Sequence, residues 1–354
     1  MSRVVVAMSG GVDSSVVAGL LHEEGHEVIG VHMKLHDADP GKPGHCCGLD
    51  DALDARRVAD RLNIPFHVVD LREAFRAAVI DDLTNTYVAG ATPNPCVRCN
   101  GVLKFRVLLQ RALALGADAL ATGHYARVEQ GADGPELRAA VDAQKDQSYF
   151  LFPITRAALS KTLFPLGGLE KHEVRAHARR MGLITADKPE SQEICFIPDQ
   201  DHAGFISRER PELDGAGEIV DTEGRVLGHH DGYFRFTVGQ RRGLGVALGQ
   251  PAYVLRIEPS TRRVVVASEP KLWHHGLSAA GWVWHERPDP EERVKARIRH
   301  RGALVTCVVE AGEQPSLRFE EPAWAVAPGQ AVVVYRGDRV LGGAWIRGAI
   351  EGAA

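Results

Sequence analysis

Two textures of apolar patterning divide this chain, and they meet near Gly204. Before that point, short apolar runs alternate with stretches of helical period. Val4-Val5-Val6-Ala7 reads as a buried strand, and Val16, Val17, Leu20 and Leu21 as the apolar face of the helix that follows it. The same rhythm predicts strands at 27–33, 65–71 and 117–123 and helices at 50–62, 73–88 and 102–115. Residues 130–134 (QGADG) read as a hairpin turn, and 171–181 as an amphipathic helix closed by Gly182. Strands alternating with helices imply β-α-β units and a doubly wound parallel sheet, whose ligands sit beyond the carboxyl ends of the strands. That places Ser9 to Ser14, Met33 and Thr122-Gly123-His124 around one crevice. After Gly204 the runs shorten, and from about Trp273 they alternate between Gly and Pro turns, as in a small β-barrel or sandwich.

The first strand empties into Met8-Ser9-Gly10-Gly11-Val12-Asp13-Ser14-Ser15. Glycine lets the backbone approach an anion closely, and the helix N-terminus adds free N–H groups and a positive dipole end. Hydroxyls at Ser9, Ser14 and Ser15 complete a phosphate cradle. It is not the kinase-type loop, since no Gly-Lys-Ser/Thr follows. Asp13 would repel phosphate unless a Mg²⁺ lies between them.

Length and composition fit two or three ordinary globular domains in 354 residues. A net charge of −4 makes the chain as a whole no polyanion binder, so any nucleic-acid surface must be local. Two stretches qualify. Residues 225–263 hold seven arginines against Asp231 and Glu258, a local +5, with Phe234, Phe236 and Tyr253 among them. In 294–301, Lys295, Arg297, Arg299 and Arg301 alternate with apolar residues, which on a strand puts four cations on one face about 7 Å apart. The run Lys145-Asp146-Gln147 reads as surface loop. With no signal peptide pattern and no apolar run near the ~20 residues of a membrane span, the expectation is a cytoplasmic chain with no membrane partner.

Six cysteines in such a chain point to thiol chemistry or metal rather than disulfides: Cys46, Cys47, Cys96, Cys99, Cys195 and Cys307. Cys96 and Cys99 lie in a proline-set loop opening onto the helix at Val102, with Arg98 and Lys104 nearby, which predicts a lowered thiol pKa. The Cys-x-x-Cys spacing admits zinc, but adjacent Cys46 and Cys47, even with His45, make a poor second pair. Cys195 before Phe196, and Cys307 among valines, read as core thiols by themselves.

SGGVDSS resembles the pyrophosphate loop of the ATP-pyrophosphatases. Together with ATPNPCVRCNGVLKF, ATGHYARV, KDQSYFL, KPESQEICFIP, FTVGQRRGLG and PGQAVVVY, in that order, the chain resembles the tRNA-specific 2-thiouridylase family nearly end to end. The resemblance implies an α/β pyrophosphatase domain over 1–203, a small central domain over 204–272 and a tRNA-contacting β-barrel over 273–354. It implies ATP-dependent sulfur transfer to C2 of the wobble uridine of tRNA through an adenylated intermediate and a cysteine persulfide. Mapped onto this sequence, Cys99 is the nucleophile and Cys195 the persulfide carrier, paired as a disulfide after transfer. ATP would be held by Ala7, Met8, Ser9, Gly10, Gly11, Val12, Asp13, Ser14, Met33 and Gly123, with Mg²⁺. Asn94, Pro95 and Cys96 would border the target base, and His124, Lys145, Asp146, Gln147, Arg299, His300 and Gln330 would touch tRNA. A persulfide donor, a cysteine desulfurase or a relay protein, is implied as partner. Some members carry Asp where this chain has Cys96, so the resemblance assigns no proton acceptor. A three-thiol metal site at Cys96, Cys99 and Cys195 stays open. So do two rivals: an amidotransferase or ligase using the same cradle without the cysteines, and a non-catalytic tRNA-binding module.

Overall fold

The computed structural model describes residues 1–37, 49–189, 194–197, 201–246, 249 and 251–350. His45, Cys46 and Cys47 lie outside them, as do residues 190–193 and 198 of the second cysteine motif. The chain divides into two compact units, Met1–Val79 with Cys96–Gln200 and Asp338–Val340, and Ile80–Pro95 with Asp201–Gly337 and Leu341–Ala354.

The first unit is built on β1 (Arg3–Ala7), β2 (Glu27–Lys34), β3 (Phe66–Asp70), β4 (Ala119–Thr122) and β7 (Thr162–Leu163), all parallel in the order β3-β2-β1-β4-β7. Central β1 is covered on both faces, which is why its run is continuously apolar rather than alternating. Val4 and Val6 are fully buried, each contributing about 2 kcal/mol by area. Helix α1 (Val12–Glu23) packs against this sheet through Val16, Val17 and Leu21, and helix α2 (Leu49–Leu62) through Ala55, Val58 and Ala59. Helix Lys171–Arg180 lies so close to α1 that a Cβ at Gly19 would fall 2.3 Å from the Met181 sulfur. Strands β5 (Ala126–Gly131) and β6 (Gly134–Ala139) form the expected hairpin, turning at Gly134 with φ +116°.

One expectation here is corrected. The helix after the proline loop begins at Pro95, not Val102: turn Pro95–Arg98 continues into the π-helical stretch Cys99–Leu108 and then Leu109–Ala114. Proline's fixed φ and missing N–H suit a first helical residue, so Cys96 and Cys99 are helical.

In the second unit, β8 (Gly217–Val220), β9 (Val226–His230), β10 (Tyr253–Glu258) and β11 (Arg263–Ala267) form a sheet ordered β10-β11-β8-β9. Six antiparallel strands follow: β12 (Trp273–Trp284), β13 (Val294–Arg297), β14 (Val305–Glu310), β15 (Ser316–Trp324), β16 (Ala331–Arg336) and β17 (Arg339–Ile350). They run β12-β15-β14-β13-β16-β17, and β17 returns to pair with β12, closing the barrel. Leu277, Val294, Ala296, Leu317, Val332 and Leu341 fill it, and Cys307 is the buried, inert thiol its neighbours predict, pushed up to about 12 by burial.

Both polyanion surfaces read from the sequence need correction. Phe234 and Phe236 are buried rather than presented to bases, and Tyr253 stands edge-on to Trp324 at 5.9 Å. Four of the seven arginines face carboxylates: Arg225 with Asp221, Arg256 with Glu258, Arg262 with Asp214 and Arg263 with Glu218. Three of those acids lie outside the window in which the charge was summed. The cationic strand stops at Arg297 and turns at 299–302, so its four charges do not share one face. Arg297 lies over the Tyr335 ring, and Arg299 donates to the carbonyls of Val238 (2.6 Å) and Ala325 (3.0 Å) above Trp324.

Candidate active site

The glycine turn has its expected shape, and neighbours enforce it. Gly10 has φ +79°, and a Cβ there would fall 2.2 Å from the Asp51 carbonyl oxygen, so only glycine fits. Gly11 is the extended N-cap of α1. Its carbonyl accepts the Ser15 hydroxyl at 2.8 Å, and Ser14 Oγ accepts the Ser9 N–H at 3.1 Å. Across the turn, a Cβ at Gly123 would lie 2.8 Å from the Ser14 nitrogen. Between these glycines, at the carboxyl ends of β1, β2 and β4, opens a cavity of about 220 Å³. Of the residues assigned to ATP, Ala7, Met8, Ser9, Asp13, Ser14, Met33 and Gly123 line it, while Gly10, Gly11 and Val12 shape the turn behind.

Asp13 is not the isolated carboxylate its position implied. Its Oδ1 accepts from Lys171 Nζ at 2.7 Å and from the Tyr125 hydroxyl at 2.9 Å, and the ammonium lies 5.5 Å from the Tyr125 ring centre. The sequence did hold a sign of Lys171. It is a cation at the first residue of a helix, where the dipole disfavours positive charge. Lys188 was missed as well. Its ammonium binds the Gly10 carbonyl (3.0 Å), Asp51 (2.7 Å) and Asp54 (2.6 Å), fastening the glycine turn to α2 seven residues before Cys195. Burial opposes that charge, but the two carboxylates outweigh it and raise the pKa.

His124 and Gln147, assigned to tRNA, also stand in the cavity wall. His124 Nδ1 is 2.6 Å from Thr122 Oγ1 and its Nε2 3.4 Å from Lys104 Nζ. Burial, with Lys104 adding to it, pushes its pKa well below the usual range, so the ring is neutral. Gln147 Oε1 accepts the Tyr125 N–H at 3.0 Å. The surface-loop reading of the Lys-Asp-Gln run is corrected at Asp146: it is buried and accepts from the N–H groups of Ala140 and Ser148 and from the Ser148 hydroxyl. Lys145 is half-buried in the same turn, its N–H donating to Asp142.

Cys96, Cys99 and Cys195 form no disulfide among the described residues, the first being exposed and the others half-buried. Cys195 is seated by Phe196, which meets Phe75 edge-on at 5.2 Å, and by buried Ile197. Charge on Cys195 would push up both other thiols, which puts the three within electrostatic reach. The lowered pKa expected of Cys99 is not found. Desolvation raises it to about 12, overriding the downward pull of Lys104. Among the described residues no group of three or more His, Cys, Asp or Glu could hold a metal ion.

The remaining assigned residues belong to the second unit. Asn94 and Pro95 are buried, and Gln330 Nε2 donates to the carbonyls of Thr92 (3.2 Å) and Pro93 (3.0 Å), fixing the stretch that carries them. Gly329 makes this approach possible, with φ +86° and a Cβ position 2.7 Å from the Thr92 oxygen. Arg299 and His300 lie at the turn after β13.

Comparison with known proteins covers nearly the whole chain. Residues 2–199 match the family model described as tRNA methyl transferase HUP domain, 203–268 its PRC-barrel domain, and 274–346 the aminomethyltransferase beta-barrel domain. The tRNA-specific 2-thiouridylase MnmA of Geotalea uraniireducens (strain Rf4) is 53% identical over 360 residues, covering 99% of this chain and 96% of that one. That of Rickettsia typhi (strain ATCC VR-144 / Wilmington) is 47% identical, covering 98% and 99%. A solved 4-thiouridine synthetase–RNA complex with bound ATP is 19% identical with a TM-score of 0.38, covering 55% of this chain and 45% of that one. By its full-length identity to these relatives and its match across all three family models, the chain belongs to the tRNA-specific 2-thiouridylase (MnmA) family.

Proposed function

We propose that this protein transfers sulfur to C2 of the wobble uridine of tRNA, using ATP to activate the carbonyl. The observation that carries the reading is one cation with two neighbours: Lys104 lines the glycine-turn cavity and also acts on Cys99. Lys104 thus links the nucleotide cavity to the thiols, which supports one reaction using both. Methyl transfer, the chemistry in the family model's name, would leave those thiols without a task.

In this scheme the uridine O2 attacks the α-phosphorus of ATP, and pyrophosphate leaves into the turn formed by Ser9 to Ser14, met by the N–H groups of α1. Met33 packs against the adenine. Asp13 Oδ2, which has no hydrogen bond among the described residues, would hold Mg²⁺ with the phosphate oxygens. The ion, when bound, neutralises phosphate charge. Lys171 keeps Asp13 in place. Cys195 carries the persulfide. Thiolate Cys99 attacks its inner sulfur, giving a Cys99–Cys195 disulfide and hydrosulfide, which adds to C2 as AMP departs. A thiol reductant restores both cysteines, and a cysteine desulfurase or relay protein reloads Cys195. Asn94, Pro95 and Cys96 border the base, with Gln330 holding their stretch. Lys145, Gln147, Arg299 and His300 serve the tRNA, while His124 and Asp146 act from inside the wall. No described helix is long and apolar enough to cross a membrane, and a tRNA-modifying role belongs in the cytoplasm.

The test is incubation with ATP, unmodified tRNA and a persulfide donor, followed by nucleoside digestion. 2-Thiouridine that requires all three is expected. AMP release without thiolated nucleoside would point to a ligase, and tRNA binding without AMP release to a passive binder.

A further inference from the structure

We propose that Lys104 is a positioning cation for the sulfur-transfer step, carried to Cys99 by the π-helical winding of Cys99–Leu108. The inference rests on the sulfur-transfer reading above and adds a residue and a device to it. In an α-helix, residues five apart lie about 140° from each other around the axis, so Lys104 would face away from Cys99. With hydrogen bonds running from i to i+5, the fifth residue comes back to the starting face. The helix gives up its ordinary register over the ten residues that begin at Cys99, and both ends of this five-residue step carry chemistry.

Three observations agree with that assignment. Lys104 lines the nucleotide cavity. It is half-buried, and among the described residues no carboxylate pairs with it. The group it touches, His124, is neutral and tied through Nδ1 to Thr122, so it orients the ammonium without neutralising it. A half-buried ammonium lacking a counter-charge favours an arriving anion. Two are on offer in sequence: the phosphate of the nucleotide and the thiolate that attacks the persulfide. The charged and titratable groups facing Cys99 are Lys104, which favours thiolate, and Cys96 and Cys195, which oppose it when ionised.

The experiment uses the full chain without tRNA. Iodoacetamide labelling is followed at the Cys99 peptide by mass spectrometry from pH 6 to 10, for wild type, Lys104→Met, Lys104→Gln and Lys104→Arg. Because Cys99 titrates above this range, a one-unit upward shift of the thiol slows labelling about tenfold at every pH in it. That result is expected for Met and Gln, with Arg restoring most of the rate. Identical profiles for wild type and a neutral variant overturn the proposal, as do identical profiles for the Arg and Gln variants. Labelling of buried Cys307 marks any variant that has unfolded, and the neutral variant that stays folded then decides the outcome. Since no tRNA is involved, failure here leaves the sulfur-transfer reading untouched, and an intact shift with no 2-thiouridine in the earlier assay overturns that reading alone.

Discussion

In the central sheet of the chain, β8 to β11 with its turns, Arg225, Arg256, Arg262 and Arg263 each end on a carboxylate, whereas around the glycine turn polar groups face an open cavity. By charge count the first region looks like the binder: seven arginines against two acids in 225–263. By partnering it is the second. Ser9 and Ser14 line the cavity with their hydroxyls paired, among the described residues, only within the turn, Lys104 has no described carboxylate, and the N-terminus of α1 has no side-chain cap. Cations already satisfied within the fold have little left for a ligand, and one unanswered ammonium in a half-buried wall outweighs several solvated pairs.

The comparison can be broken from either side. The largest effect is expected at the thiols: Cys99→Ser and Cys195→Ser each lower thiolation by at least about a hundredfold while ATP affinity, read by equilibrium dialysis, stays within about twofold. Substantial turnover by either variant would remove the two-cysteine scheme. Next comes Gly10→Ala, which forces a left-handed backbone and a clash with the Asp51 carbonyl. It should cost about 1–3 kcal/mol in urea denaturation and weaken ATP binding at least about tenfold. Unchanged ATP binding would place the nucleotide elsewhere.

Lys188→Met leaves Asp51 and Asp54 facing each other and frees the glycine turn. A loss of about 1–2 kcal/mol is expected at pH 7. Because the folded pKa of Lys188 is raised, its stabilisation is full below the unfolded value and fades as pH climbs through the folded one. The stability gap between wild type and variant should therefore narrow above about pH 10.5. A gap that widens with pH would show that the ammonium is not what holds the site. The smallest effect belongs to the central sheet: Arg263→Ala, removing one exposed ion pair, should change stability by less than about 1 kcal/mol and tRNA affinity by less than about twofold. A tenfold loss of tRNA affinity there would restore the charge-count reading.

Much of this was legible in the sequence because local physics decides it. A continuous apolar run, two glycines and serines before a helical period leave few ways to build β1, the turn and α1. Alternation found the barrel strands, and Val294, Ala296 and Ile298 are buried as it requires. What could not be read depends on distant partners. Asp214, Glu218 and Asp221 neutralise arginines outside their own window, and Lys171 meets Asp13 across the fold. Local chemistry placed a cation beside Cys99 and predicted a thiolate, but desolvation by the surrounding chain outweighed it. The π-helical register has no sequence signature at all, because its apolar spacing passes for an ordinary helix.

The most direct measurement is a single turnover with the persulfide on Cys195 carrying labelled sulfur, given ATP and unmodified tRNA but no reductant. The account predicts one labelled 2-thiouridine and one AMP per chain, with Cys99 and Cys195 recovered joined as a disulfide. Labelled 2-thiouridine recovered with both thiols still free, or AMP formed while the label stays on the protein, would contradict it.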